Sequence, residues 1–176
     1  MGGRKMILRL MVLTALTLML PILAGPTQAS ENASKARQEE VAKRGAQVMS
    51  FSLERTVHIF TKTKSGGIQQ VIVKDKTDSQ QITLIRKHLS KIAKEFSQGN
   101  FSDPAKIHGK DMPGLAELEK ARPDQLRIVY KKLTKGAQIE YSSDNPALID
   151  AIHRWFDAQL ADHAGALSGP IDQDRQ

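Results

Sequence analysis

Residues 56–74, TVHIFTKTKSGGIQQVIVK, and residues 126–142, LRIVYKKLTKGAQIEYS, carry the same plan. Each is a pair of short β-branched segments around a glycine-containing turn. Thr56–Thr63 and Ile68–Lys74 flank Lys64-Ser65-Gly66-Gly67, whose paired glycines can supply the positive φ of a tight hairpin. Leu126–Leu133 and Ala137–Ser142 flank Thr134-Lys135-Gly136 in the same way. Leu126, Ile128 and Tyr130 share one face of their strand, and Ile139 and Tyr141 share one face of its partner.

Each hairpin runs into a helical pattern. After the first, Ile82, Ile85, Leu89, Ile92 and Phe96 recur at three- and four-residue spacing, with Thr77 or Asp78 as the cap and Gly99 as the stop. After the second, Asp144 or Asn145 before Pro146 is a strong helix start. Leu148, Ile149, Ile152, Phe156 and Leu160 form its apolar stripe, and Gly165 ends it. The chain therefore reads ββα, a long connection, then ββα again. This predicts an α+β fold, a four-stranded mainly antiparallel sheet with two helices packed on one face. The two helical stripes superpose, but any two amphipathic helices do, so the pattern alone does not establish a duplication.

The connection over residues 100–123 is punctuated by Asn100, Pro104, Gly109, Pro113 and Gly114. It predicts one helical turn from Ser102 or Asp103 to Gly109 and another from Pro113 through Leu118. A connection this long inside a small domain is either functional or packed down by its own apolar residues.

The first thirty residues supply the address. Arg4, Lys5 and Arg9 precede Leu10–Ala24, an uncharged apolar run, and Thr27-Gln28-Ala29 places small residues at −3 and −1 before Ser30. That is the layout of a cleaved signal peptide over 1–29, and the run is shorter than the roughly 20 residues a membrane span requires. The expected protein is exported, periplasmic or secreted, with no stable membrane span after cleavage. Residues 30–48 read as a polar, flexible lead, 49–165 as a single α+β domain, and 166–176 as a loose tail.

Of 176 residues, 147 then remain, enough for one domain with a core. The leader holds three of 26 basic residues and no acidic one, so the net charge falls from +7 to +4. The lysines are scattered and Lys131, Lys132 and Lys135 surround a turn, which argues against a nucleic-acid partner. The absence of cysteine excludes disulfides, thiolate metal sites, CxxCH haem attachment and cysteine nucleophiles. Any metal must be held by His, Met, carboxylate or backbone oxygen.

Five histidines carry what chemistry there is: His58, His88, His108, His153 and His163, none in an HxH, HxxxH or HExxH pairing. His58 lies on a strand face with Phe60, opposite Val57 and Ile59, and reads most simply as a half-exposed strand residue. His88 flanks its helix stripe. His108 stands in the long connection four residues before Met112, an imidazole and a thioether of the kind copper accepts. The simpler reading of Met112 is a side chain that plugs a gap in the core. His153 and Asp157 are spaced for a one-turn ion pair, and His163 is placed to complement a helix C-terminus. Asp103 and Asp111 read as helix caps. There is no GxSxG, P-loop or GxGxxG.

Four stretches together, Val57–Phe60, Gly66–Val71, Gln81–Leu89 and Phe96–Leu118 (FSQGNFSDPAKIHGKDMPGLAEL), extended by Ala151–Gln159, resemble a family of small exported bacterial proteins of unknown function. Some members bear the name aspartate carbamoyltransferase. The chemistry of that name requires a Ser-Thr-Arg-Thr phosphate loop at a helix start, in a cytosolic chain about twice this length. The nearest fragment here, Glu54-Arg55-Thr56, opens a strand. The resemblance covers His58, His88 and His108, in a strand, a helix and a loop. It directs attention to a site of His58, His88 and His108, with Met112 as a fourth ligand, for copper or zinc. The rival expectations are an envelope interaction module with structural histidines, and an enzyme of unassigned reaction. No catalytic residue is assigned, and a non-enzyme is favoured.

Overall fold

Alternation of β-branched and polar residues produces four strands: β1 (Thr56–Thr63), β2 (Gly66–Val73), β3 (Arg127–Leu133) and β4 (Gly136–Ser142). The structure is a computed structural model that describes residues 28–163, with side chains described from Ser34 onward. All pairings are antiparallel, in the order β1-β2-β4-β3. The chain is α+β, as its sequence pattern predicts. The expected signal peptide lies outside the described residues apart from its last two, Gln28 and Ala29, and so do Gly165 and the C-terminal tail.

The helices are α1 (Gln28–Val48), α2 (Ser79–Phe96), α3 (Ser102–His108), α4 (Leu115–Glu119) and α5 (Pro146–Asp162). Asp78 caps α2 by accepting from the Gln81 N–H at 3.2 Å, and Asn145 caps α5 by accepting from the Ala147 N–H at 3.0 Å. Both lie among the candidate caps read from the sequence.

The sheet has an internal two-fold pattern. Gly66 and Gly136 open the second strand of each hairpin, and the pairings Gly66↔Ser142 and Ile72↔Gly136 mirror one another about the central pair Gln69↔Ile139. Helix α2 packs on β4 and β3, whereas α5 packs on β2 and β1. Each helix thus covers the other unit's hairpin. Neither ββα unit buries its apolar face by itself, although α2 also touches β2, and the two form one core.

One sheet face meets the helices: Thr56, His58 and Phe60 of β1, Val71 and Val73 of β2, and Ile139 and Tyr141 of β4 are buried there. The opposite face presents half-buried Val57, Ile59, Ile68 and Ile72 around a Gln70–Gln138 side-chain hydrogen bond of 2.9 Å.

Two expectations are corrected. The paired glycines do not form the first turn: Lys64 and Ser65 do, and the glycines enter β2. Gly67 is needed for space, because a Cβ there would stand 2.3 Å from the Phe156 ring. Residues 30–48, expected as a flexible lead with the folded region beginning near Met49, belong to helix α1, which packs on α3 and α5. Its amphipathic signal is weak because few side chains anchor it. Val41 is fully buried, and Arg37 reaches across to α3 and α5.

Candidate functional site

Near the end of β1, under the ends of α1, α3 and α5, the core turns polar. A partly open cavity of about 40 Å³ is lined by four of the five histidines: His58, His88, His108 and His163. That volume admits only a few water-sized groups.

His58 enters from β1. Strand alternation puts it on the helix-covered face, where it is 7 % exposed, and not half-exposed as strand periodicity alone suggests. Its Nε2 is buried without a hydrogen-bond partner. Such an atom ordinarily costs about 1–3 kcal/mol. Burial, reinforced by the neighbouring His163, His88 and His108, pushes the His58 pKa down to about 3, so the ring is neutral.

His108 closes α3 and is 3 % exposed. Its Nδ1–H donates to Asp162 Oδ2 at 2.7 Å, which leaves Nε2 as the lone-pair nitrogen of the neutral ring. Burial lowers its pKa although the Asp162 hydrogen bond opposes the shift. Asp162 is anchored in turn by Arg37, whose Nε and Nη2 donate to its two oxygens at 3.1 and 2.9 Å. The same Nη2 donates to the His108 carbonyl at 2.6 Å. Burial alone would raise Asp162, but the hydrogen bonds from Arg37 and His108 outweigh it and hold its carboxyl below the ordinary range. One guanidinium therefore ties α1, α3 and α5 together and fixes the ring plane of His108.

His163 follows α5. The expectation that it complements the helix end as a cation is overturned: it is 9 % exposed, and burial, with His108 beside it, pushes its pKa down to about 4. Its ring centre lies 5.1 Å from that of His108 and 5.7 Å from that of His58. Sequence reasoning missed this residue. The usable signal was the α5 stripe, since Ile152, Phe156, Gln159 and His163 continue one buried face.

His88 lines the same cavity, but Phe51 touches both it and His58, at 5.5 and 5.7 Å between ring centres. The contiguous trio is therefore His58, His163 and His108. Met112 is 5 % exposed, belongs to the apolar core, and does not line the cavity. Met49, just past α1, lines it instead.

The Trp155 Nε1–H, which also borders the cavity, is likewise buried without a partner, whereas other polar groups nearby are tied into the fold. The His153 Nε2–H donates to the Thr63 and Gly66 carbonyls at 3.0 and 2.9 Å, while Asp157 pairs with Lys62. The expected His153–Asp157 pair does not form, because the β1–β2 turn lies closer to the imidazole than its own helix neighbour does. Asp103 also borders the cavity, with its carboxylate held by Lys91 at 3.0 Å and Lys106 at 3.2 Å.

Two imidazoles sharing one metal at about 2 Å per bond stand with ring centres about 5 Å apart. The His108–His163 and His163–His58 spacings match that figure. The ring nitrogens are not yet gathered: among the described residues, no three His, Asp or Glu side chains are grouped as a ready-made metal site. A shared ligand set therefore requires rearrangement of these residues. A second, larger cleft, bordered by Gln38, Glu39, Leu53 and Glu54, also touches His58, Asp162 and His163 and offers an approach from solvent.

No protein-family model, curated protein or solved structure matches this chain.

Proposed function

We propose that this is an exported protein that binds a single transition-metal ion, copper or zinc, through His58, His108 and His163. The observation that carries the reading is the unpartnered, buried Nε2 of His58 in a cavity it shares with the other two rings. Buried polar atoms are almost always satisfied, and an orphan nitrogen beside two further imidazoles supports a missing ligand. The Arg37–Asp162–His108 relay supports it. A ligating histidine ordinarily donates its other ring N–H to a carboxylate, which fixes the tautomer and raises the basicity of the free nitrogen. The apolar leader, Arg4 to Ala29, supports export.

The test is titration of the purified protein with Zn²⁺ and with copper, followed by calorimetry and thermal unfolding. Sub-micromolar binding at one ion per chain and a rise in Tm are expected, since an ion that binds only the folded state stabilises it. His58→Gln and His163→Gln should each weaken binding 100-fold or more, and His153→Gln should leave it unchanged. Absence of binding by either ion, or binding indifferent to both cavity variants, sinks the proposal.

A further inference from the structure

The charge and donor inventory of the cavity narrows the identity of the ion. Imidazole ligates a metal as a neutral donor. The two carboxylates nearby are already neutralised: Asp162 by Arg37 at 2.9 Å, and Asp103 by Lys91 and Lys106. The cavity thus adds no negative charge to offset that of a bound cation. Desolvation of an ion in a low-dielectric interior scales with the square of its charge, so a divalent ion costs about four times what a monovalent one costs there. The volume, about 40 Å³, leaves no room for the retained waters of a high-coordinate ion.

Beside the imidazoles and the oxygens of Gln69, Asp103 and Gln159, the cavity has a soft donor. Met49 lines the cavity directly after α1, its backbone N–H donating to the Gly45 carbonyl at 2.8 Å, so the thioether is carried by an anchored turn. Thioether sulfur is a soft donor that favours monovalent copper and contributes little to Zn²⁺. We infer that the ion is Cu(I), held in a low-coordinate site by His58, His108 and His163 with the thioether of Met49. This rests on the metal-site reading above and replaces the thioether of Met112, which the fold buries in the apolar core.

Competition titrations of the purified protein decide it, run anaerobically with ascorbate and bicinchoninate for Cu(I), and with a chromophoric chelator for Zn²⁺. Cu(I) should bind at one equivalent, at least 10³-fold more tightly than Zn²⁺. Met49→Leu, a near-isosteric change at a partly buried position, should weaken Cu(I) at least tenfold, leave Zn²⁺ binding unchanged, and keep the Tm of the metal-free protein. Extended X-ray absorption at the copper edge should show a sulfur scatterer that Met49→Leu removes, with Met112→Leu as the control that retains it. Zn²⁺ binding as tight as Cu(I), or Cu(I) affinity untouched by Met49→Leu, overturns the copper assignment while leaving a metal site in place. Failure of both ions to bind the wild-type protein overturns the metal site itself.

Discussion

The helix-covered face of the sheet has two ends that solve opposite problems. At one, Phe96, Phe101, Tyr141, Trp155 and Phe156 pack ring on ring, from a stacked Phe96–Phe101 pair at 4.4 Å to an edge-on Tyr141–Phe156 pair at 5.6 Å. At the other, four histidines surround a cavity. The two-fold pattern of the sheet makes the comparison direct. His58 of β1 corresponds to Ile128 of β3, and Gln69 of β2 to Ile139 of β4, so the second unit fills with hydrocarbon where the first places polar groups. The two ends meet at Phe96, Trp155 and Gln69, all of which border the cavity, and Gln69 accepts a 2.6 Å hydrogen bond from the Tyr141 hydroxyl. Burial pushes the Tyr141 phenol well up, so it stays a donor across the working pH range. One end of the face stabilises the fold, and the other holds polar groups that a stable core alone does not require.

The largest effect is expected from breaking the aromatic end. Phe156 is fully buried, lies over Gly67 and contacts Phe60, Tyr141 and Trp155. Gly67 has no side chain to move into the space, so Phe156→Ala should cost ~3–5 kcal/mol. Urea unfolding of the metal-free protein measures it. A loss below about 1 kcal/mol would mean that the aromatic end is not the structural one.

The second effect belongs to the histidine end and appears only in acid. The unfolded chain protonates its histidines near pH 6.5, whereas the folded chain holds His58 neutral to about 3 and His163 to about 4. Above pH 6.5 neither state is protonated and these groups contribute nothing to the pH dependence. Below it the unfolded state binds more protons, so stability falls as pH drops, until the folded pKa values are reached. Two such groups should cost about 2 kcal/mol between pH 6.5 and 5.5 in the metal-free protein. Denaturant midpoints that stay flat over this interval would show that the rings are hydrated and not buried.

The sequence disclosed these two ends unequally, for physical reasons. The strands, α2 and α5 were legible because period-2 and period-3.6 patterns reflect burial on one face, and the caps Asp78 and Asn145 sit where such patterns begin. Helix α1 was not, because it is held by Val41 and by Arg37, and a single long-range ion pair leaves no periodic trace. At the site, His58, His88 and His108 could be nominated as residue types, but their convergence depends on the crossed placement of the helices over the sheet. His163 looked like a helix-end cation because position along a helix is local information, whereas its burial beneath α1 is not. The place of Met49 was hidden for the same reason, whereas Met112 fills the core as its simpler reading has it. Spacing of four from His108 nominated Met112, while the fold folds that residue into the core and brings the turn after α1 to the cavity.

The smallest effect sharpens the comparison most, because its two readouts should move in opposite directions. His58→Ile installs at β1 the residue type that the second unit carries at the corresponding place. The exchange removes a buried nitrogen with no partner and substitutes apolar volume, which should raise the stability of the metal-free protein by about 1 kcal/mol. It should also shrink the acid sensitivity, since one of the two strongly depressed histidines is gone. Metal binding should fall 100-fold or more in the same variant. A structural histidine would behave otherwise: its replacement would cost stability and leave ion binding, if present, alone. Gain of stability with loss of binding is therefore the signature of a group retained for a ligand at the expense of the fold, and unfolding and titration of one variant read both.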